Sequence, residues 1–139
     1  MSALDKYHVA VRNALLKDGW TITHDPYTLT VGQRDVYIDL GAERVIAAEK
    51  GTERIAVEVK SFAGASDLRD LEMAIGQYAF YRSSLRRREP DRTLYLAAPQ
   101  TVVNNTFSEQ IARNAFEDLH VNYIGFDPER EVIVEWKKP

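Results

Sequence analysis

Arg54-Ile55-Ala56-Val57-Glu58-Val59-Lys60 is an apolar run that closes on an acid and a base two positions apart. Side chains alternate across a strand, so Glu58 and Lys60 share one face while Ile55, Val57 and Val59 share the other. An acid and a base on a strand that otherwise reads as core are unfavourable unless something satisfies or uses them. A second run, Asp35-Val36-Tyr37-Ile38-Asp39, has the same two-faced pattern and ends on another acid. Two carboxylates and a lysine presented by neighbouring strands can hold a divalent metal and activate a water, as a nuclease must.

Outward from these runs, Ser2 to Lys17 reads as a helix with Leu4, Val11 and Leu15 on one face and Asp18-Gly19 as its stop. Trp20 to Thr23 is a short strand, His24-Asp25-Pro26 a turn, and Gln33 to Leu40 a second strand. Val45 to Glu49 and Arg54 to Phe62 form a hairpin across Lys50-Gly51-Thr52-Glu53. A long helix starts at Ser66 or Asp67 and reaches about Arg87, with Leu68, Leu71, Ile75 and Tyr78 as its buried stripe. Thr93 to Ala98 is a strand ended by Pro99, Phe107 to Leu119 a third helix, and Asn122 to Phe126 and Val132 to Trp136 the last two strands. The order αββββαβαββ predicts an α/β (α+β) fold, a mixed sheet with helices on its faces.

A chain of 139 residues predicts one domain, 1–139, with enough core to fold without staples. Cysteine is absent, which removes disulfides and thiolate metal sites. No apolar run is long enough to span a bilayer and no signal peptide is visible, so the expected location is cytoplasmic. The net charge of −3 does not advertise nucleic-acid binding, although a carboxylate cluster that a metal later offsets contributes to it. Arg82, Arg86, Arg87, Arg88 and Arg92 form the densest basic patch, either a solvated helix end or a phosphate-contacting surface.

Asp39 and Glu58 face the same side if their strands are adjacent, and they repel unless a cation sits between them. Mg²⁺, with Mn²⁺ as its substitute, suits one or two carboxylates and keeps several waters; the Val59 carbonyl is a third oxygen ligand. Lys60 is then placed to orient the attacking water or stabilise charge developing on phosphorus. The plainer alternative is an ion pair of Glu58 with Lys60 or Arg54 and a strand-ending Asp39. Glu49 is either a solvent-facing hairpin residue or a third acid, and Asp35 shares the face of Asp39. Gln77 and Tyr81, four apart on the long helix, are neighbours at the margin of its apolar stripe. His8 lies in the middle of the first helix's apolar face, as a satisfied core residue or as a flank of the metal site.

The order Asp39, then Glu58-Val59-Lys60, then Gln77-Tyr78-Ala79-Phe80-Tyr81 resembles the PD-(D/E)xK restriction-endonuclease-like superfamily, although Ile38 stands where its pattern has proline. Gln-x-x-x-Tyr on the following helix is similar to the RecB-type branch, which also places a histidine in the first helix, as His8 is here. Longer stretches resemble the XisH family: 18–26, 35–43, 46–51, Ile55-Ala56-Val57-Glu58-Val59-Lys60-Ser61-Phe62 and Gly76-Gln77-Tyr78. The resemblance implies an endonuclease-like fold and the role of an fdxN element excision controlling factor, in programmed DNA excision by a site-specific recombinase beside a companion family called XisI. It further implies a homodimer. In that setting the expected catalytic group is Asp39, Glu58, Lys60, Gln77, Tyr81 and His8, with Asp39, Glu58 and Val59 on Mg²⁺. Arg82, Arg86, Arg87 and Arg88 are the expected phosphate contacts. The rival expectation is a non-enzymatic adaptor of the same fold that binds a recombinase, a XisI-type partner or DNA; a third is a toxin-like or antitoxin-like component.

Overall fold

The β-branched residues Ile55, Val57 and Val59, at alternate positions of Glu53–Val59, favour an extended chain, and the alternation gives that strand two different faces. The computed structural model describes residues 3–28, 30–31, 34–35 and 45–139. Its elements are α1 (Ala3–Lys17), β1 (Thr21–His24), β2 (Thr30–Val31), β3 (Arg34–Asp35), β4 (Val45–Lys50), β5 (Glu53–Val59), α2 (Asp67–Arg88), β6 (Arg92–Pro99), α3 (Gln100–Asn104), a 3₁₀ turn (Thr106–Ser108), α4 (Gln110–Asp118), β7 (Tyr123–Asp127) and β8 (Val132–Lys137). Six strands form one sheet in the order β1-β4-β5-β6-β7-β8, while β2 and β3 pair with each other as a separate ribbon. β5, β6 and β7 run parallel and the outer pairings are antiparallel, so the sheet is mixed, as expected.

The two faces of β5 belong to two cores. Ile55, Val57 and Val59 pack with Ala10, Val11 and Leu15 of α1, Trp20, and Ile124 and Phe126 of β7. Ala56 faces the other way, onto Leu71, Ala74, Tyr78, Tyr81 and Leu85 of α2 and the Phe107 and Phe116 pair beyond β6. Glu58 shares that second face, because it lies two residues beyond Ala56.

The expected stop of α1 at Asp18-Gly19 is present. Gly19, at φ 89°, lets its own amide reach the Leu16 carbonyl and the Trp20 amide reach the Leu15 carbonyl, at 3.1 and 3.0 Å. That is a Schellman closure, which favours glycine at the left-handed position. Ser66 caps α2 by accepting from the Arg69 amide.

Three expectations change. Leu68 is 47% exposed and not part of the α2 stripe, because it lies about 110° around the helix from the centre of the buried set Leu71, Ala74, Gln77, Tyr78, Tyr81 and Leu85. The helix expected over Phe107 to Leu119 is broken: Phe107 sits in the 3₁₀ turn, drawn into edge-to-face contact with Phe62, Phe116 and Tyr123. A short helix, α3, precedes it, and with the β2–β3 ribbon the order becomes αβββββαβααββ. Of the strand expected over Gln33 to Leu40, residues 34 and 35 lie in that ribbon; Asp39 is outside the described residues. Among the described residues no helix is long and apolar enough to cross a membrane.

Candidate active site

Glu58 is 1% exposed although it sits one residue from the end of β5. Its Oε1 lies 3.8 Å from Lys60 Nζ, and the lysine side chain is itself largely covered. A carboxylate removed from water this completely costs several kcal/mol before pairing, so its place in the second core needs a compensating charge. The Lys60 amide donates to the Ala97 carbonyl at 2.9 Å, which fixes the lysine against β6. Since that peptide is trans, the Val59 carbonyl in the same unit points away from β6, toward the side where β4 begins opposite Glu58.

α2 closes over this acid. Gln77, Tyr78 and Tyr81 are all buried on its sheet-facing side. Burial first, and the Glu58 carboxylate second, push the Tyr81 phenol well above its ordinary range. Burial likewise pushes the Tyr78 phenol up; its hydroxyl donates to the Leu94 carbonyl at 3.0 Å and accepts from the Asn122 amide at 3.1 Å. Tyr81 therefore faces Glu58, Gln77 is buried one turn before it on the same side of the helix, and Tyr78 between them ties α2 to the sheet. Beyond Lys60 a cleft of about 340 Å³ opens, walled by Ser61 to Gly64 and by Asp70, Met73 and Ala74 of α2.

His8 belongs to the other helix layer. Its Nε2 lies 2.7 Å from Asp25 Oδ1, and Arg12 holds the second oxygen of the same acid at 2.9 Å. Asp25 follows β1, whose His24 pairs with Ala47, and β4 in turn places Val45 against Glu58. The pair therefore sits toward the Glu58 end of the sheet, two strands away and on the opposite face. His8 Nδ1 is buried with no hydrogen-bond partner among the described residues. Asp25 is the residue that sequence reasoning missed: it read as part of a turn, and nothing local signals a partner seventeen positions earlier.

Other candidates part from the site. Glu49 pairs with Arg54 in the strand register and accepts from its Nε at 3.2 Å, whereas Glu58 lies four residues further along, about 13 Å away. Its hairpin reading holds, and a third-ligand role does not. Asp35 lies in the β2–β3 ribbon, outside the six-stranded sheet. Arg82 donates to the Leu119 and His120 carbonyls at the end of α4 and stacks over Tyr78, so its charge serves packing. Arg86, Arg87 and Arg88 are exposed, but they lie in the last turn of α2, at the opposite end of the sheet from Glu58. There Glu89 joins Arg54 and the buried Arg92. Among the described residues no group of three or more His, Asp or Glu is placed to hold a metal.

A family model described as XisH protein matches residues 1–134. Two crystal structures are similar, one of an XisH family protein from Nostoc punctiforme PCC 73102 and one of a fdxN element excision controlling factor protein from Anabaena variabilis. Each is 41% identical with a TM-score of 0.87, over 95% of this chain and 98% of the other. No curated protein matches.

Proposed function

The chain belongs to the XisH family, and on that premise we propose that it is a DNA excision controlling factor with a metal-assisted phosphodiesterase site centred on Glu58 and Lys60. The observation that carries this reading is the carboxylate of Glu58, 1% exposed, held 3.8 Å from Lys60 and close enough to act on the Tyr81 phenol of α2. Fold maintenance alone does not call for an acid on that face, where Ala56 and Ala47 are the neighbours along the strands.

The donor set fits Mg²⁺ or Mn²⁺ in kind: a hard carboxylate, the Val59 carbonyl and, in this proposal, the carboxylate of Asp39, with waters completing the shell. A cation so bound supplies charge neutralisation at the scissile phosphate. Lys60 offers a cationic donor two residues from the ligating acid, suited to orient a water toward phosphorus or to stabilise the oxygens as the P–O ester bond breaks. Gln77 and Tyr81 hold Glu58 in place from the helix side. His8, oriented by Asp25, flanks the site from the other layer.

A second reading keeps the scaffold without the chemistry: an adaptor that binds a recombinase, a XisI-type companion or DNA. The net charge of −3 and the capture of Arg82 by α4 favour it. Nicking of supercoiled and branched DNA with Mg²⁺ or Mn²⁺, comparing wild type with Glu58→Ala and Lys60→Ala, separates the two. The nuclease reading expects a loss of ~10²-fold or more in each variant with the circular dichroism spectrum retained. No cleavage by wild type with either metal, with or without the companion, selects the adaptor.

A further inference from the structure

Two residues after Lys60 the chain turns in a way that its sequence does not favour. Phe62 holds a left-handed backbone at φ 56°, which is costly for a bulky side chain and persists only where the surroundings over-determine it. A glycine makes the same reversal freely, so a phenylalanine at this point implies a use for the ring. That ring meets Phe107 at 77°, with centroids 5.4 Å apart, which fixes its plane. Phe62 is nevertheless only partly buried, and it lines the cleft that opens beyond Lys60.

The facing wall of the cleft is the first half of α2. Ala74 and Met73, the latter 56% exposed, keep it apolar, and a methionine is an adaptable cover. Asp70 is the one acid that lines the cleft. Its Oδ2 accepts from the Gly64 amide at 3.0 Å, and the carboxylate takes no other hydrogen bond among the described residues. Gly64 makes that approach possible, since a Cβ there would lie 2.6 Å from Asp70 Oδ1. The carboxylate is thus positioned by backbone and keeps acceptor capacity in hand.

These walls define a ligand. Lys60 at one end suits an anion, Phe62 and Met73 suit a flat apolar face, and Asp70 suits a hydrogen-bond donor. A nucleotide with an exocyclic amine on its base carries all three. The volume of about 340 Å³ lies near the lower end of small-ligand sites, which run from about 300 to 1,000 Å³. A base inside a duplex is stacked on both sides with its pairing edge engaged, so it enters such a cleft only when unpaired.

We propose that the cleft between Ser61–Gly64 and α2 takes one unpaired nucleobase of a DNA strand, stacked on Phe62 and read through its exocyclic amine by Asp70. Resting on the phosphodiesterase reading, this makes the substrate of the Glu58 site DNA with an unpaired nucleotide beside the scissile phosphate. Cytosine, with its N4 amine, is favoured over thymine, which presents O4 at the same place.

Fluorescence anisotropy at fixed salt tests it, with a fully paired duplex and the same duplex carrying one bulged cytosine or one bulged thymine. The full chain binds the bulged cytosine about tenfold more tightly than the paired duplex, and about fivefold more tightly than the bulged thymine. Met73→Trp fills the cleft from an exposed position and abolishes the preference for a bulge, with an unchanged circular dichroism spectrum. Asp70→Asn and Gly64→Ala each equalise cytosine and thymine. Equal affinity for paired and bulged DNA, a bulge preference that survives Met73→Trp, or no binding to any DNA overturns the proposal. Nicking with Mg²⁺ or Mn²⁺ separates it from the reading beneath it. Bulge-selective binding without nicking keeps the pocket and removes the phosphodiesterase, whereas Glu58-dependent nicking without bulge selectivity does the reverse.

Discussion

Replacing Lys60 by methionine keeps most of its stem while deleting the charge beside Glu58. At 3.8 Å, and with the effective dielectric of about 20 that suits protein sites, the pair attraction is about 4 kcal/mol. The lysine head is 15% exposed, so water takes part of the load and we expect Lys60→Met to cost about 2 kcal/mol. Glu58→Gln removes the attraction together with the cost of burying the carboxylate. Its stability should stay within about 1 kcal/mol of wild type. The double variant should follow Glu58→Gln, leaving a coupling of about 2 kcal/mol. Urea unfolding near neutral pH reads this through Trp20 and Trp136, whose rings lie 5.7 Å apart across α1's core. With an m-value of about 2 kcal/mol/M the Lys60→Met midpoint falls by about 1 M. A Lys60→Met midpoint unchanged from wild type, or strict additivity in the cycle, refutes the argument that Glu58 is buried as an ion that Lys60 compensates.

Arg92 is 4% exposed, donates to the Ile55 carbonyl at 2.9 Å and to Glu89 at 3.0 Å, and lies over the Tyr27 ring. Arg92→Leu strands the Ile55 carbonyl and leaves Glu89 to Arg54 alone, and should cost about 3 kcal/mol, seen as a fall of roughly 10 °C in Tm, without altering DNA binding. Burial raises the phenols of Tyr78, Tyr81, Tyr95 and Tyr123 in the folded state. A raised pKa means the proton is held more tightly when folded. This contribution to stability is therefore complete below the unfolded value of about 10 and is lost as pH rises through the folded values. Unfolding should set in above about pH 10, with tyrosinate absorbance rising in step with the loss of circular dichroism, and Tyr81→Phe should move the onset upward; phenols that titrate before the fold is lost would contradict it.

Local pattern carried a large part of this architecture. The alternation in Arg54 to Lys60 told which residues share a face, and Ile55 and Val57 do line one core while Ala56 and Glu58 face the other. The Gly19 stop, the turn across Lys50 to Glu53 and the extent of α2 were equally readable, because each rests on interactions within a few residues. The long matching stretches around Glu58 and Gly76-Gln77-Tyr78 also placed the family.

What the chain's neighbours in space decide was not readable. Glu49 and Glu58 look alike along the sequence, and only the β4–β5 register sets one with Arg54 and the other under α2. His8 looked like core until Asp25, brought up by the end of β1, supplied its partner. Arg82 and its neighbours Arg86 to Arg88 form one basic run, yet Arg82 is drawn to carbonyls thirty-seven residues away while the others stay in solvent. Phe107 gave up a regular helix for an aromatic cluster. Sequence by itself determined most of the elements and the two faces of β5, since backbone geometry and periodicity act locally. Tertiary structure decided which charges meet, because ion pairs and burial depend on distances that long-range register alone sets.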